Sequence, residues 1–281
     1  MKIEFYTPSH GVTEEFGGAS LGFAGAEDAN VSNKITCPFD INGVMVSGSY
    51  EDCLKNIPEA KYQAGIVLLG NAGNENQFIR SLADKVKAPL VGGSAATNSV
   101  TGESALILGR GEAAVFMIND DRYEVEAVSQ NIHYDILSKH TISFSQRWID
   151  TIDGCEAKKW LEDKKAELGV SEDDFEHLTF ADEHGINVHL SVVDGRIFSG
   201  RDLAETLYLR YVPHGEVQKR IQAFYDDKDA VVFGCAGLKG ILDTGLCSKG
   251  TGLFMFGEVC TVDGYSDFGN LMLSKIKITK K

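Results

Sequence analysis

Leu68-Leu69-Gly70-Asn71-Ala72-Gly73 and Val232-Phe233-Gly234-Cys235-Ala236-Gly237 stand at a constant offset of 164 residues. Both read as a buried strand running into a Gly-x-Ala-Gly bend. With no gap, Leu82 falls on Leu246, Val91 on Met255 and Gly93 on Gly257. Apolar runs align as well as glycines, so the spacing predicts two copies of one supersecondary unit. Glycine lets the chain turn at positive φ and lets another group come close. In the first copy the bend leads into a helix-like segment. Free backbone N–H groups at such a junction favour an anion such as a carboxylate. Two related halves commonly form a pocket where they meet, so both bends are expected to face one cavity.

Working outward, three segments carry helical periodicity. Glu75 to Val86 places Phe78, Ile79, Leu82 and Val86 on one face. Glu156 to Leu168 does the same with Ala157, Trp160, Leu161 and Leu168, and Gly169 supplies a stop. Gly215 to Phe224 carries Val217, Ile221 and Phe224. Strand-like runs include Gly43–Val46, Gly65–Leu69, Ala113–Ile118 and Ala230–Phe233, and Tyr123–Val128 alternates apolar with polar. Leu108-Gly109-Arg110-Gly111 and Val193-Asp194-Gly195-Arg196 read as hairpin turns. Hairpins mixed with strand–helix units predict an α+β fold rather than a purely parallel doubly wound sheet. Two pseudo-duplicated halves, 1–120 and 121–281, are expected to carry mixed or antiparallel sheets flanked by helices, with the boundary near Asn119–Arg122.

Composition narrows the partners. The 281 residues carry 27 Lys+Arg against 41 Asp+Glu, a formal charge of −14. That excess repels phosphate backbones and anionic lipid surfaces, so neither nucleic acid nor a membrane is expected as a partner. No apolar run reaches the length of a bilayer-spanning helix. Met1-Lys2-Ile3-Glu4-Phe5-Tyr6 lacks the apolar core of a signal peptide. Six cysteines (Cys37, Cys53, Cys155, Cys235, Cys247 and Cys260) are dispersed without a CxxC pair. They read as reduced thiols of a cytoplasmic protein.

The chemistry-bearing residues are few. Cys235 follows a buried strand in a glycine bend, where backbone N–H groups and Lys239 would favour a thiolate, and it is expected to line a cavity. Its match in the first copy, Asn71, cannot exchange protons at neutral pH, which argues against a two-cysteine mechanism. Glu258, after Phe256-Gly257, is placed to anchor a ligand ammonium or hydroxyl, or to act as a base if burial raises its pKa. Ser94 occupies the matching place and reads as a turn-stabilising hydroxyl. His184 and His189 flank Gly185–Val188 without the spacing of metal ligands. His214 precedes a helix start. Arg201 and Arg210 are possible carboxylate partners, with a surface ion pair as the default reading. GxxxxGK[ST], HExxH, GxSxG and a strand-borne GxGxxG are all missing, so no metal or cofactor is implied. The expected ligand-binding set is Asn71, Gly73, Gly93, Ser94, Cys235, Ala236, Gly237 and Glu258. Cys235 and Glu258 are the catalytic pair should the protein be a hydrolase or isomerase.

Four ordered stretches resemble the FIST family (F-box and intracellular signal transduction proteins). Leu90-Val91-Gly92-Gly93-Ser94-Ala95-Ala96 is similar to its Gly-Gly-Ser/Thr-Ala segment. Ile149 to Ala157, around Asp153-Gly154, resembles the step that opens its C-terminal region. Phe233-Gly234-Cys235-Ala236-Gly237 resembles its Phe-Ser-Cys-Ala-Gly element, and Gly252 to Val259 its Gly-Phe-x-x-x-Gly-Glu-Ile element. The chain differs from the family at Leu238, where an Arg is usual, and at Phe268-Gly269-Asn270, which lacks the usual His. The resemblance implies an intracellular sensory module that binds a small ligand such as an amino acid and passes a signal to a partner protein.

Overall fold

The structure, a computed structural model, describes residues 3–8, 20–23, 31–36, 41–70, 73–94, 110–133, 135–170, 178–213, 215–225, 230–235, 251–255 and 257–281. Strands β1 (Ile3–Pro8), β2 (Ser20–Phe23) and β3 (Val31–Thr36) form an antiparallel sheet in the order β2-β1-β3. Next come β4 (Gly43–Ser49), α1 (Tyr50–Asn56), β5 (Ala64–Leu69), α2 (Glu75–Val86), β6 (Leu90–Ser94), β7 (Glu112–Ile118) and β8 (Tyr123–Asn131). A strand-rich stretch follows with β9 (Asp135–Ser145), β10 (Trp148–Ile152), β11 (Cys155–Glu156), α3 (Ala157–Leu168), β12 (Leu178–Ala181), β13 (Asn187–Val188), β14 (Leu190–Val193), β15 (Arg196–Ser199) and β16 (Thr206–Tyr211). The chain closes with α4 (Glu216–Tyr225), β17 (Ala230–Cys235), β18 (Thr251–Met255), β19 (Glu258–Val262), β20 (Tyr265–Gly269) and β21 (Met272–Lys280).

These elements build an α+β molecule in which strand dominates. One sheet has the order β20-β19-β6-β5-β7-β4, and a second has the order β18-β17-β21-β8. Their inner faces stack. Ile66, Leu68, Val91 and Phe116 of the first pack with Phe233, Ile276 and Ile278 of the second. Burying a phenylalanine or isoleucine fully contributes about 1.5–3 kcal/mol, so this apolar seam is what holds the two sheets together. The outer face of the first sheet is covered by α1 and α2, whose Tyr50, Phe78, Ile79 and Leu82 meet Val67, Leu69 and Val115. The outer face of the second is covered by α4 through Val217, Ile221 and Phe224. Four layers result, helix on sheet on sheet on helix.

The two sheets share a wiring pattern. In β6-β5-β7-β4 and in β18-β17-β21-β8 the first pair is parallel and the next two are antiparallel. Register corrects the ungapped alignment, however. Leu68 lies opposite Gly93, whereas Val232, its counterpart, lies opposite Gly252, several positions before Gly257. Gly93 therefore matches Gly252 in the ladder, and Ser94 does not stand in the place of Glu258.

The third body is an eight-stranded antiparallel sheet whose path runs β13-β12-β16-β9-β10-β15-β14, with β11 on β10. The end strands β13 and β14 are separated in the chain by His189 alone, so the sheet curls until its ends meet, nearly a barrel. Its core joins Ile142, Ile152, Phe180 and Leu207 with Leu161 of α3. Gly169 ends α3 in a left-handed conformation, as its sequence position predicts. The Asp194-Gly195 turn joins β14 to β15 with both residues at positive φ, the twist a two-residue hairpin needs. The other expected hairpin turn falls partly on residues 108–109, outside the described residues. Among the described residues no helix is long and apolar enough to cross a membrane.

Candidate functional site

Glu258 opens β19 at the edge where the two stacked sheets come together. Three contacts fix it. Across the ladder it faces Gly93 of β6. One residue earlier, the Gly257 carbonyl accepts from the Ser94 amide at 2.9 Å. From the second sheet, the Met272 amide donates to Glu258 Oε2 at 3.0 Å. Gly257 has φ +94°, and a Cβ on it would lie 2.1 Å from the Phe268 ring. Only glycine lets the chain swing into β19 this tightly against Phe268.

The Glu258 side chain is fully buried, and its Oε1 has no hydrogen-bond partner among the described residues. Cys235, the last residue of β17, is buried beside it, close enough for its thiol to act on the carboxyl. Burial pushes the Glu258 carboxyl well above its ordinary value; bonds from Met272, Cys235 and Gly257 oppose this and do not cancel it. A carboxyl in this state holds a proton that its neighbours do not use. It can donate to a carbonyl or carboxylate, or give the proton up when a cation arrives. Below it, the Cys260 thiol is pushed up by burial and then by Glu258, and it accepts from Ser274 Oγ at 3.5 Å. Cys260 is thus an inert thiol.

The structure brings Gly93, Ser94, Cys235 and Glu258 together, drawn from three strands of two sheets. Ser94 is wholly buried in β6. Asn71, Ala236 and Gly237, with Leu238 and Lys239, lie outside the described residues, as does His214. Gly73 sits elsewhere. Its amide donates to Glu75 Oε1 at 2.8 Å, and its carbonyl accepts from Arg147 Nη2 at 2.9 Å. The N–H that the sequence left open for a ligand anion is therefore taken by the chain's own carboxylate. Gly73 borders a cleft of about 570 Å³ with Arg80, Arg147, Trp148 and Phe198.

Arg201 also departs from its expected surface pairing. It is one of the most deeply buried side chains. Its Nη1 reaches Asp182 Oδ2 at 3.1 Å and the Ile186 carbonyl at 3.1 Å, and its Nη2 reaches Asp267 Oδ2 at 2.5 Å. Asp267 also receives Arg80 Nη2 at 2.7 Å and Asn76 Nδ2 at 2.7 Å. This network ties the curled sheet to α2 and β20. Sequence gave no sign of it, because Asp182, Asn76 and Asp267 are far from Arg201 in the chain. Arg210 donates to the His133 carbonyl at 3.0 Å. His184 stacks on Tyr265 at 3.7 Å between ring centres, and burial lowers the pKa of His189. Among the described residues no cluster of His, Cys, Asp and Glu fits a metal ion.

Compared with protein-family models and with curated proteins, the chain matches none.

Proposed function

We propose that this chain is a small-ligand-binding sensory protein of the FIST type, acting in the cytoplasm, with its ligand held where the two stacked sheets meet at Glu258 and Cys235. The observation that carries the reading is the Glu258 carboxyl, fully buried with one oxygen unpartnered among the described residues. Leaving a buried polar atom unpaired costs about 1–3 kcal/mol, a cost that a ligand hydrogen bond would recover. The wiring shared by the two sheets supports a duplicated origin of the halves, with the ligand at their junction. Amino acids and small organic acids fit the chemistry. A protonated Glu258 donates to a ligand carboxylate, and an ionised one accepts from an ammonium.

Isothermal titration with amino acids and small organic acids tests the reading. Glu258→Gln keeps the shape and removes the proton exchange; Cys235→Ala removes the thiol. At least one such compound should bind, and both variants should weaken it tenfold or more. Unchanged affinity in both variants would place the ligand elsewhere.

The thiol–carboxyl pair also favours a second reading, a thiol- or carboxylate-dependent hydrolase or isomerase acting on a small metabolite. Iodoacetamide separates the two. Rapid alkylation of Cys235 that ligand suppresses indicates the enzyme, and an unreactive thiol indicates the sensor.

A further inference from the structure

The curled eight-stranded sheet holds a constellation that the Glu258 site does not use. On β9, the Ser138 hydroxyl lies 2.6 Å from His140 Nε2. On the other side of the ring, His140 Nδ1 lies 2.7 Å from Asp153 Oδ2. Asp153 sits at φ +49° in the two-residue turn between β10 and β11. Its second oxygen accepts from the Thr141 amide at 2.9 Å, and its own amide donates to the Thr141 carbonyl at 2.8 Å. The carboxylate is therefore fixed on both sides. Its pKa is lowered, first by the bond from His140. An ionised Asp can only accept, which assigns the proton of a neutral ring to Nδ1 and leaves Nε2 to accept from Ser138.

We propose that Ser138, His140 and Asp153 form an acyl-transfer site, with Ser138 as nucleophile, His140 as general base and Asp153 as the group that orients it. The substrate class is a carboxylic ester with a short apolar acyl group. Three further observations support this. Trp160 meets the His140 ring edge-on at 4.7 Å, which holds the imidazole in one orientation. The β9–β16 ladder breaks its register here: Ser138 pairs with Leu209 and Ile136 with Arg210, leaving Leu137 without a partner. A bulge of this kind frees backbone beside the nucleophile for an oxyanion. Ile136 and Leu137, both strongly exposed, give an acyl chain an apolar surface next to Ser138.

The step balances as follows. Ser138 Oγ attacks the ester carbonyl carbon and its proton passes to His140 Nε2. The ester C–O bond then breaks, and that proton leaves with the departing alcohol. Water, deprotonated by His140, hydrolyses the acyl-serine and restores the hydroxyl. The proposal does not depend on the Glu258 reading.

The test uses the full chain with 4-nitrophenyl acetate and with a fluorophosphonate, followed by peptide mass spectrometry. One adduct is expected on Ser138. Ser138→Ala should abolish it without changing the thermal midpoint. Asp153→Asn, which keeps the turn, should slow it by ~10²–10⁴-fold, and His140→Gln should slow it at least as much. Failure to label Ser138, or equal labelling rates in wild type and Asp153→Asn, would reduce these contacts to a structural pin between β9 and the turn and overturn the proposal.

Discussion

Glu258 is the residue on which most of this account rests, and its buried state has a thermodynamic signature. Its carboxyl binds a proton more tightly when folded than the ordinary value of 4.5. Its contribution to stability is therefore complete below pH 4.5 and declines as pH rises toward the folded-state value. Glu258→Gln removes that dependence. The stability of wild type relative to this variant should fall with rising pH above 4.5, at no more than ~1.4 kcal/mol per pH unit. Denaturant titrations at a series of pH values would show it, and a flat difference would mean that the carboxyl is ionised in place. Asp267 makes a sharper case. It neutralises the buried Arg201 and receives Arg80 as well. Asp267→Asn leaves the Arg201 guanidinium buried beside an amide. A loss of about 3–5 kcal/mol is expected from breaking such a pair, read as a lower urea midpoint.

At the scale of elements, local pattern was a good guide and distant pairing was not. The 3.6-residue periodicity located α2, α3 and α4 within a residue or so, because each presents one apolar stripe to a sheet. The Asp194-Gly195 hairpin was legible for the same local reason. Asp263-Gly264 between β19 and β20 carries the same signal, with both residues at positive φ, and could have been read from it. The pairing of β19 with β6 was not legible. It joins segments from opposite ends of the chain, and the apparent match of Gly93 to Gly257 hid that Gly93 faces Glu258. Two glycines separate the physics of turn and packing. Gly195 has φ +77° and open space around it, so Gly195→Ala should cost only the left-handed strain of roughly 1–2 kcal/mol. Gly92 has φ +135°, and a Cβ on it would lie 2.0 Å from the Val67 carbonyl oxygen. Gly92→Ala should exceed the ~1–3 kcal/mol of backbone strain alone and split β5 from β6. Thermal melts of the two variants compare them directly.

At the scale of the whole molecule, the sheets do not respect the order of the chain. The hairpin β19–β20 extends the sheet formed by β4 to β7. A fragment of residues 1–120 would expose β6 as an unpaired edge and leave Gly93 and Ser94 without Glu258 and the β19 strand that carries it. It should show no cooperative melt alone and gain one when 121–281 is supplied. The junction that creates this dependence is also the candidate site, which explains how much of it was legible. Glycines, Cys235 and Glu258 stood out because each is unusual beside a buried strand. Their mutual contact depends on the stacking of two sheets, which no local pattern encodes. Native mass spectrometry of the purified wild type, set against Glu258→Gln and Cys235→Ala, tests that junction most directly. A small molecule carrying a carboxyl or amino group should accompany the wild type and be depleted from both variants. Equal retention by all three proteins, or a wild type that neither carries nor takes up any such compound, would contradict the account.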